Sequence, residues 1–395
     1  MKTHDYIDFI ENCYHEILVK NYIKQLINTD DCRVYEFRDK FIALVKKGED
    51  ITQGANIIVS HIDSPRLDAI VGNPFIQKDD GFFIKVVPYG GLIYQDWINM
   101  PLFLTGRIYS QGKEIFVNTR GKYEFTITGL LPHLNGRDEM KKINSDKFLI
   151  RLAKNKEVFL EKMKELYGLS EKDFELADLS FIPSFNAKLL GFDSEYLSSY
   201  GHDDKCCVFA QLKAFLDSED TSKTKIAIFS SYEETGSAQS TGCQSEIIND
   251  IFLDLTNNYA ECRKAIRNSK VVSADVCAGY ESKFSNHFEE CARAVVGNGI
   301  GVIPYLGQKR GNDTDFHFRN EIKELLIRNN IPYQVETTKV SESGGGTVST
   351  FFATKGCYVI DVGIPVLAMH SPQEIISVND LNNLYKFYKV FYELE

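Results

Sequence analysis

Short apolar runs that end in polar residues recur along this chain. The clearest run, at residues 225–231, reads Lys-Ile-Ala-Ile-Phe-Ser-Ser and is followed after one residue by Glu233 and Glu234. A short apolar run of this kind is typical of a buried strand in an α/β sheet. Because ligands bind outside the carboxyl ends of strands in open α/β sheets, the two glutamates occupy a candidate site position. The alternative is a solvated turn, which this stretch alone does not exclude.

A second run has the same character. Residues 56–60 read Asn-Ile-Ile-Val-Ser and lead directly to His61 and Asp63.

A closing helix is predicted from about Asn379, a residue type that caps helix N-termini. Helices alternating with apolar strands predict an α/β fold. The other main helices predicted from apolar residues at helical spacing lie at residues 3–28, 206–216, 245–266 and 314–329.

Residues 71–199 follow a different pattern. Short apolar runs alternate there with turn signals such as Asp-Asp-Gly and Tyr-Gly-Gly, which is typical of antiparallel strands. One helix is predicted at residues 156–167, with Gly168 as its stop signal. We therefore predict two domains: an α/β domain formed by residues 1–70 plus 200–395, and an inserted, largely β domain between them.

Composition narrows the classes of function. The 395 residues carry a formal net charge of −10, so no basic face argues for nucleic-acid binding. No apolar run approaches the roughly 20 residues needed to span a bilayer, and the first residues lack a signal-peptide pattern. Nine cysteines without a CxxC pair are expected to be packing residues rather than a disulfide framework. We therefore expect a cytoplasmic protein that binds neither nucleic acid nor membrane.

Candidate metal ligands follow apolar segments or begin a helix at five separated places. Each has an ordinary alternative, such as a structural histidine, a helix cap at Asp203 or a loop cap at Asp275. Imidazole and carboxylate are the ligands of borderline or hard divalent cations, so the joint pattern predicts a metal centre. The residues concerned are His61, Asp203, Glu233, Glu234, Asp275 and His370.

Two histidines, two aspartates and one glutamate suffice for a dinuclear centre if one aspartate bridges the metals. Each metal then keeps an open position for a shared water, as in catalytic rather than structural sites. The metals activate that water and polarise a carbonyl, while the remaining glutamate acts as general base. Asp63, two residues after His61, is placed to hold the second imidazole nitrogen. Residue type alone does not separate Glu233 from Glu234, or Asp203 from Asp204.

Six short segments carry a more specific signal. Together, in this order, they resemble the aminopeptidase I/aspartyl aminopeptidase family of dinuclear zinc exopeptidases, and most closely its bacterial branch. The resemblance covers nearly the whole chain. The segments read SHIDSPRL at residues 60–67, GHDDK at 201–205, EETGS at 233–237, SADV at 273–276, GGGT at 344–347 and AMHS at 368–371.

The resemblance implies a role for each candidate. Asp203 is expected to bridge two divalent metal ions, zinc first, with cobalt or manganese as alternatives. His61 and Asp275 are expected to complete the ligand set of one metal ion. Glu234 and His370 complete the other. Glu233 is expected to be the general base.

The resemblance also implies a fold and an assembly. The expected fold is a three-layer α/β/α catalytic domain with a mixed central sheet, interrupted by a β-rich insertion domain. Family members commonly form closed tetrahedral shells of twelve subunits, to which the insertion domain contributes contacts. We therefore expect homo-oligomers, with dimers assembled into a dodecamer.

Substrate contacts are less specifically marked. A family histidine that reaches a neighbouring active site has a counterpart at His133, for which a buried structural histidine is the alternative. A glycine-rich segment lets substrate approach the backbone, although a plain helix-entry loop has the same composition. Cations could pair with an acidic group of the substrate, or be solvated surface. The candidates are His133, Lys339, Gly345 and Gly346, with Lys309 and Arg310 as further cations.

These observations predict a metallo-aminopeptidase that hydrolyses the N-terminal residue of peptides. The nearest alternative is a carboxypeptidase or amide deacylase of the same superfamily. A different class, a non-catalytic peptide-binding shell protein, would be favoured if a ligand or the base were missing. All six residues are present in the sequence.

Overall fold

The structure is a computed structural model that describes residues 2–307, 313–339, 341–342 and 346–395. None of the described helices is long and apolar enough to cross a membrane. In chain order the helices are α1 Thr3–Asn12, α2 Glu16–Leu26, α3 Gly136–Lys141, α4 Lys156–Tyr167, α5 His202–Asp217, α6 Ile247–Thr256, α7 Tyr259–Asn268, α8 Phe316–Arg328, α9 Ser349–Lys355 and α10 Val378–Tyr392.

The strands alternate with these helices in part of the chain and follow one another in the rest. They are β1 Arg33–Glu36, β2 Ile42–Lys46, β3 Ala55–His61, β4 Arg66–Ala69, β5 Phe75–Lys78, β6 Gly81–Tyr89, β7 Leu102–Ser110, β8 Lys113–Asn118, β9 Leu149–Ala153, β10 Asp178–Pro183, β11 Lys188–Leu190, β12 Tyr196–Ser199, β13 Thr224–Ser230, β14 Lys270–Ser273, β15 Cys277–Ala278, β16 Ile300–Ile303, β17 Tyr333–Val335, β18 Tyr358–Gly363, β19 Pro365–Val366 and β20 Glu374–Ser377.

The chain divides into two compact units. The first unit comprises Met1–Asp63, Ala187–Met369 and Gln373–Glu395, and the second comprises Ser64–Asn186 and His370–Pro372. The sequence pattern predicted slightly different domain borders, after residues 70 and 199. Strand pairing explains the difference, because β4 belongs to the sheet of the second unit, whereas β11 and β12 pair with β20 in the first.

The first unit is built on an eight-stranded sheet with the order β1-β2-β13-β3-β14-β18-β16-β17. Strands β13, β3, β14 and β18 are mutually parallel, while β2 and β16 pair with this group antiparallel. One face buries apolar residues against α1, α2, α5, α8 and α10. The other face packs against α6, α7 and α9. The predicted three-layer α/β/α fold with a mixed sheet is thus confirmed.

The second unit is dominated by an antiparallel sheet. Its strand order is β5-β6-β4-β10-β7-β8, and β9 pairs with β6. The predicted helix at residues 156–167 is α4, capped by Asn155, whose side chain accepts the N–H of Val158, and stopped by Gly168 at a φ of 71°. Phe159 of α4 packs on the sheet through ring contacts with Phe75 and Phe82.

Two predicted helices are each divided in two. The helix expected over residues 3–28 is interrupted after Asn12, and the buried ring of His15 begins α2 by accepting the N–H of Ile17. The helix expected over 245–266 breaks at Asn257, which adopts a left-handed conformation, and Asn258 caps α7. Polar residues that bond their own backbone compete with helix continuation, which periodicity alone does not register.

The last helix begins slightly earlier than predicted. Ser377, not Asn379, is the cap of α10, and its hydroxyl accepts the N–H of Asp380. The nine cysteines are free thiols, most of them buried, in agreement with the packing role expected of them.

Glu336 is a buried carboxyl just beyond β17 in the first unit, with 8% of its surface exposed. Burial raises the pKa of Glu336 from 4.5 to about 7, and the neighbouring Asp361 carboxylate adds to the rise. The folded chain therefore retains a proton that the unfolded chain releases. Stability from this group is complete below pH 4.5 and is lost as the pH rises through about 7.

Replacing Glu336 by Gln should remove this pH dependence. At pH 8 the Glu336→Gln variant is expected to be more stable than the wild type by about 3 kcal/mol, since the buried charge is gone. Thermal unfolding at pH 8 and pH 4.5 measures the effect, which should vanish at the lower pH. The exposed Glu324 on α8 offers a control, because Glu324→Gln should leave the thermal stability unchanged at both pH values. If Glu336→Gln were less stable than the wild type at pH 8, the raised pKa of Glu336 would be contradicted.

Candidate metal centre

Three adjacent parallel strands bring candidate ligands to one edge of the first unit's sheet. Strand β3 ends at His61, beside Ser230 at the end of β13. Glu233 and Glu234 follow β13, and Asp275 follows β14 by two residues. Because parallel strands share the direction of their carboxyl ends, residues far apart in sequence converge here.

His61 lies at the centre of this edge. Its Nε2 is 3.2 Å from Oδ1 of Asp203, at the start of α5, and 3.7 Å from Oδ1 of Asp275. Its Nδ1 is 3.1 Å from the carbonyl oxygen of Asp63. A carbonyl only accepts, so Nδ1 carries a proton in this bond, and Nε2 is the ring nitrogen that faces the two aspartates and would bind a metal when it is deprotonated.

Glu233 and Glu234 lie on one turn of 3-10 helix, Glu233–Thr235. Tyr232, just before it, has a φ of 63°, a conformation that non-glycine residues rarely adopt and that clusters at functional sites. The carboxylate of Asp63 fixes the turn, because its two oxygens accept the N–H groups of Glu233 and Glu234, each at 3.3 Å. Asp63 thereby orients the turn through its side chain and the His61 ring through its carbonyl.

The geometry fits a divalent metal centre. Ligand atoms of His61, Glu233 and Asp275 lie within 4.8 Å of one another, and so do those of His61, Asp203 and Glu234. Several carboxylates and one imidazole nitrogen thus lie close together, and a bound cation would offset the repulsion between the carboxylates. Nitrogen and carboxylate oxygen are the donor atoms that zinc accepts alongside thiolate. The donor set and its spacing therefore suit the predicted metal.

Burial and mutual repulsion shape the titration of these groups. Burial raises the pKa of Glu233 to about 8, with neighbouring carboxylates adding to the rise and His61 opposing it. Burial also raises the pKa of Asp275. For His61, burial acts to lower the pKa, but hydrogen bonds to surrounding aspartates outweigh it and raise the pKa well above its usual value. Glu233 is therefore suited to hold and release a proton near neutral pH.

Sequence reasoning assigned no role to two buried carboxyls beside the centre. Asp204 is fully buried, and its Oδ2 accepts the backbone N–H of His61 at 3.2 Å. Glu374 is also buried, and its Oε2 accepts the backbone N–H of Asp203 at 3.0 Å. Asp204 stood beside a named candidate. Glu374 follows the AMHS segment by three residues, which was the only signal for it.

His202, next to Asp203, has a structural role. Its Nε2–H donates to the carbonyl of Leu197 at 3.1 Å, and its Nδ1 accepts the hydroxyl of Tyr6 at 2.7 Å. Burial lowers the pKa of His202 to about 3, so the ring is neutral. The tautomer is fixed by its two partners, and the ring anchors the start of α5.

A third cluster of potential ligand atoms combines one carboxyl with two thiols. Ligand atoms of Asp204, Cys206 and Cys207 are within 4.8 Å of one another, and all three residues are buried. Burial raises the pKa of both thiols, so they stay protonated and bind metals poorly. This group behaves as packing, in line with the expectation for the cysteines.

His370 belongs to the second unit, in the segment His370–Pro372, and has a φ of 65°. Its Nδ1 donates to the carbonyl of Gly91 at 2.7 Å, which leaves the lone pair on Nε2. That is the form of imidazole that binds metals. Because His370 lies outside the unit that holds the other five candidates, its role as a ligand stays a prediction.

The candidate substrate residues are spread over both units. His133 is exposed on a short 3-10 turn of the second unit, so the alternative of a buried histidine is wrong. Lys339, in the first unit, donates to the carbonyl of Asn286. Gly346 is exposed, and no atom of the residues that the structure describes lies near the position a Cβ would take. The remaining candidates, Lys309, Arg310 and Gly345, lie outside the described residues.

Comparisons with known proteins identify the family. The family model described as aminopeptidase I zinc metalloprotease (M18) matches residues 24–392. The chain belongs to the M18 family. It is therefore a metal-dependent peptidase of the zinc aminopeptidase class, and the family predicted from the six segments is confirmed.

Individual M18 proteins resemble the chain over almost all of its length. A probable M18 family aminopeptidase of Borreliella burgdorferi is 37% identical over 390 residues, 91% of this chain and 85% of that protein. The crystal structure of an M18 aminopeptidase from Thermotoga maritima has a TM-score of 0.91 at 27% identity, covering 99% of this chain and 95% of that one. The S. cerevisiae mApe1 dodecamer has a TM-score of 0.82 at 19% identity, covering 99% and 96%, and shares the fold.

Proposed function

We propose that this chain removes the N-terminal residue of peptides by a dinuclear metal mechanism with Glu233 as general base. The observation that carries the proposal is the convergence of His61, Asp203, Asp275 and both glutamates on one sheet edge. The family is a zinc metalloprotease family, so zinc is the first candidate ion. Cobalt and manganese accept the same ligands.

The proposed ligands divide between two ions. Asp203 is shared, His61 and Asp275 hold one ion, and Glu234 and His370 hold the other. The 3.2 and 3.7 Å distances from the His61 ring support the first group, whereas His370 rests on the sequence resemblance. When bound, such a metal pair lowers the pKa of a shared water and polarises the scissile carbonyl.

Glu233 then performs the proton transfers. Its raised pKa and its position within 4.8 Å of ligand atoms of His61 and Asp275 support its accepting the proton of the attacking water and donating it to the leaving amine. Asp63 assists by holding the N–H groups of the glutamate turn and the His61 tautomer. The carboxylate of Glu233 therefore stays oriented while its protonation changes.

Substrate recognition is proposed at the residues predicted from the sequence: His133, Lys339, Gly345 and Gly346. We also propose homo-oligomers, with dimers assembled into a dodecamer, which is the assembly of the S. cerevisiae mApe1 structure. Light scattering on the purified protein separates a dimer from a shell of twelve chains.

Removing the metal tests the proposed reaction. Incubation with aminoacyl chromogenic amides should release the chromophore, a chelator should abolish that release, and zinc, cobalt or manganese should restore it. N-blocked amides of the same residues are the control, since an aminopeptidase requires a free N-terminus. Cleavage of N-acylated or C-terminal substrates instead would favour the carboxypeptidase or deacylase alternative. Inactivity on every unblocked amide at every metal loading would favour a peptide-binding shell protein.

A further inference from the structure

We propose that Glu374 is a positioning residue that sets the backbone of Asp203 and thereby the metal affinity of the centre. The inference rests on the proposed function, in which Asp203 is the ligand shared by both ions. Glu374 acts through Asp203: among the described residues, neither ligand group around His61 includes Glu374.

The position of Glu374 is fixed by strand pairing. Glu374 begins β20 and pairs with Ser199, the last residue of β12, in an antiparallel ladder of the first unit. The chain continues from Ser199 through Gly201, whose φ is 75°, into α5. The carboxylate of Glu374 therefore projects from a paired strand toward the turn that carries Asp203. It is 1% exposed, and its Oε2 lies 3.0 Å from the backbone nitrogen of Asp203.

Asp203 needs this support because the helix does not provide it. Asp203 and Asp204 have non-helical backbone angles, with ψ values of 108° and 22°, within the first turn of α5. The first N–H groups of a helix have no partner within the helix. Glu374 supplies the acceptor for the N–H of Asp203 through its Oε2.

The Asp203–Asp204 dipeptide also contacts strand β3. Asp204 accepts the N–H of His61 at 3.2 Å, so one chain of contacts runs from Glu374 through Asp203 and Asp204 to His61. A shift of the Asp203 backbone would move the bridging carboxylate and disturb the contact that fixes His61. Residues that orient metal ligands in this way typically change metal affinity by about 10- to 100-fold when they are removed.

Variants of the full-length chain test this role with Co²⁺ as the probe. Glu374→Ala should weaken Co²⁺ affinity about 10- to 100-fold, measured by competition with a chelator, and alter the visible Co²⁺ spectrum. Glu374→Gln keeps an oxygen acceptor for the N–H and should stay within about threefold of the wild type. If Glu374→Ala does not fold, Glu374→Met, which fills the volume without an acceptor, should show the same loss.

Asp380 provides the matched control. It is a buried carboxylate of the first unit that accepts two backbone N–H groups, from Gly297 and Gly299. Asp380→Ala should lower thermal stability but leave the Co²⁺ affinity and spectrum unchanged. Equal loss of Co²⁺ affinity in Asp380→Ala would show general loosening of the fold and would overturn the inference.

Asp203→Ala separates this inference from the proposed function. If Asp203→Ala loses Co²⁺ while Glu374→Ala and Glu374→Met bind like the wild type, the positioning role fails and the ligand assignment stands. If Asp203→Ala itself binds Co²⁺ normally, the ligand assignment fails, and the inference fails with it. Unchanged Co²⁺ affinity in Glu374→Gln together with weakened binding in Glu374→Ala is the result that supports the inference.

Discussion

Glu233→Gln should abolish most turnover while leaving the metal in place. The amide matches the carboxylate in size but cannot accept the proton of water, and general-base catalysis contributes about 10²- to 10⁴-fold to the rate. The N–H of residue 233 still donates to Asp63, so the turn should keep its shape. We therefore expect kcat to fall by that factor with little change in KM.

The neighbouring carboxylate is the matched control for this experiment. Glu234→Gln changes the same atoms one residue along the same 3-10 turn, at a proposed metal ligand. It should lower the metal content measured by elemental analysis, whereas Glu233→Gln should not. Loss of metal from Glu233→Gln with full retention in Glu234→Gln would reverse the roles assigned to the two residues.

Asp63→Asn should lower both activity and stability. One carboxylate oxygen becomes an N–H donor that faces a backbone N–H, so at least one of the two 3.3 Å bonds to the glutamate turn is lost. A lost charge-assisted bond at a buried site costs on the order of 2 kcal/mol. The freed turn no longer orients Glu233, and we expect kcat to fall by about 10- to 100-fold, as for other residues that orient a metal site.

Asp380→Asn makes the same change at another fully buried aspartate that accepts two backbone N–H groups. Its thermal stability should fall by a similar amount, measured by differential scanning calorimetry, while its kcat should stay at the wild-type value. If both variants lost activity equally, the effect of Asp63→Asn would be one of stability, and the orienting role of Asp63 would be wrong.

The sequence was informative where local pattern determines structure. The apolar runs before His61 and Glu233 predicted β3 and β13, because a strand buried on both faces must be apolar throughout. The rule that ligands bind at strand ends then pointed to the edge of the sheet at which the candidate residues converge. The helix at residues 156–167 was predicted with the bounds it has in the structure, with Gly168 as its stop signal.

The sequence did not predict the hydrogen bonds between a side chain and a backbone group far away in the chain. Glu233 and Glu234 are the same residue type at adjacent positions, and the turn that presents them is held by Asp63 from 170 positions away. Glu374 contacts Asp203 across a sequence separation of 171. Such pairs arise from strand order, which neither periodicity nor residue type encodes. Helix breaks at His15 and Asn257 were missed for a local reason, since capping competes with periodicity.

The insertion of the second unit between β3 and β13 has a consequence for the order of folding. These strands are parallel neighbours, yet the chain must complete residues 64–186 before they can pair. Entry and exit of that segment lie on adjacent strands, because β4 pairs with β10. Early formation of this pair shortens the effective loop between β3 and β13 and reduces the entropy lost in closing it. During synthesis, the capacity to bind metal should therefore appear late, after the β4–β10 pair has formed.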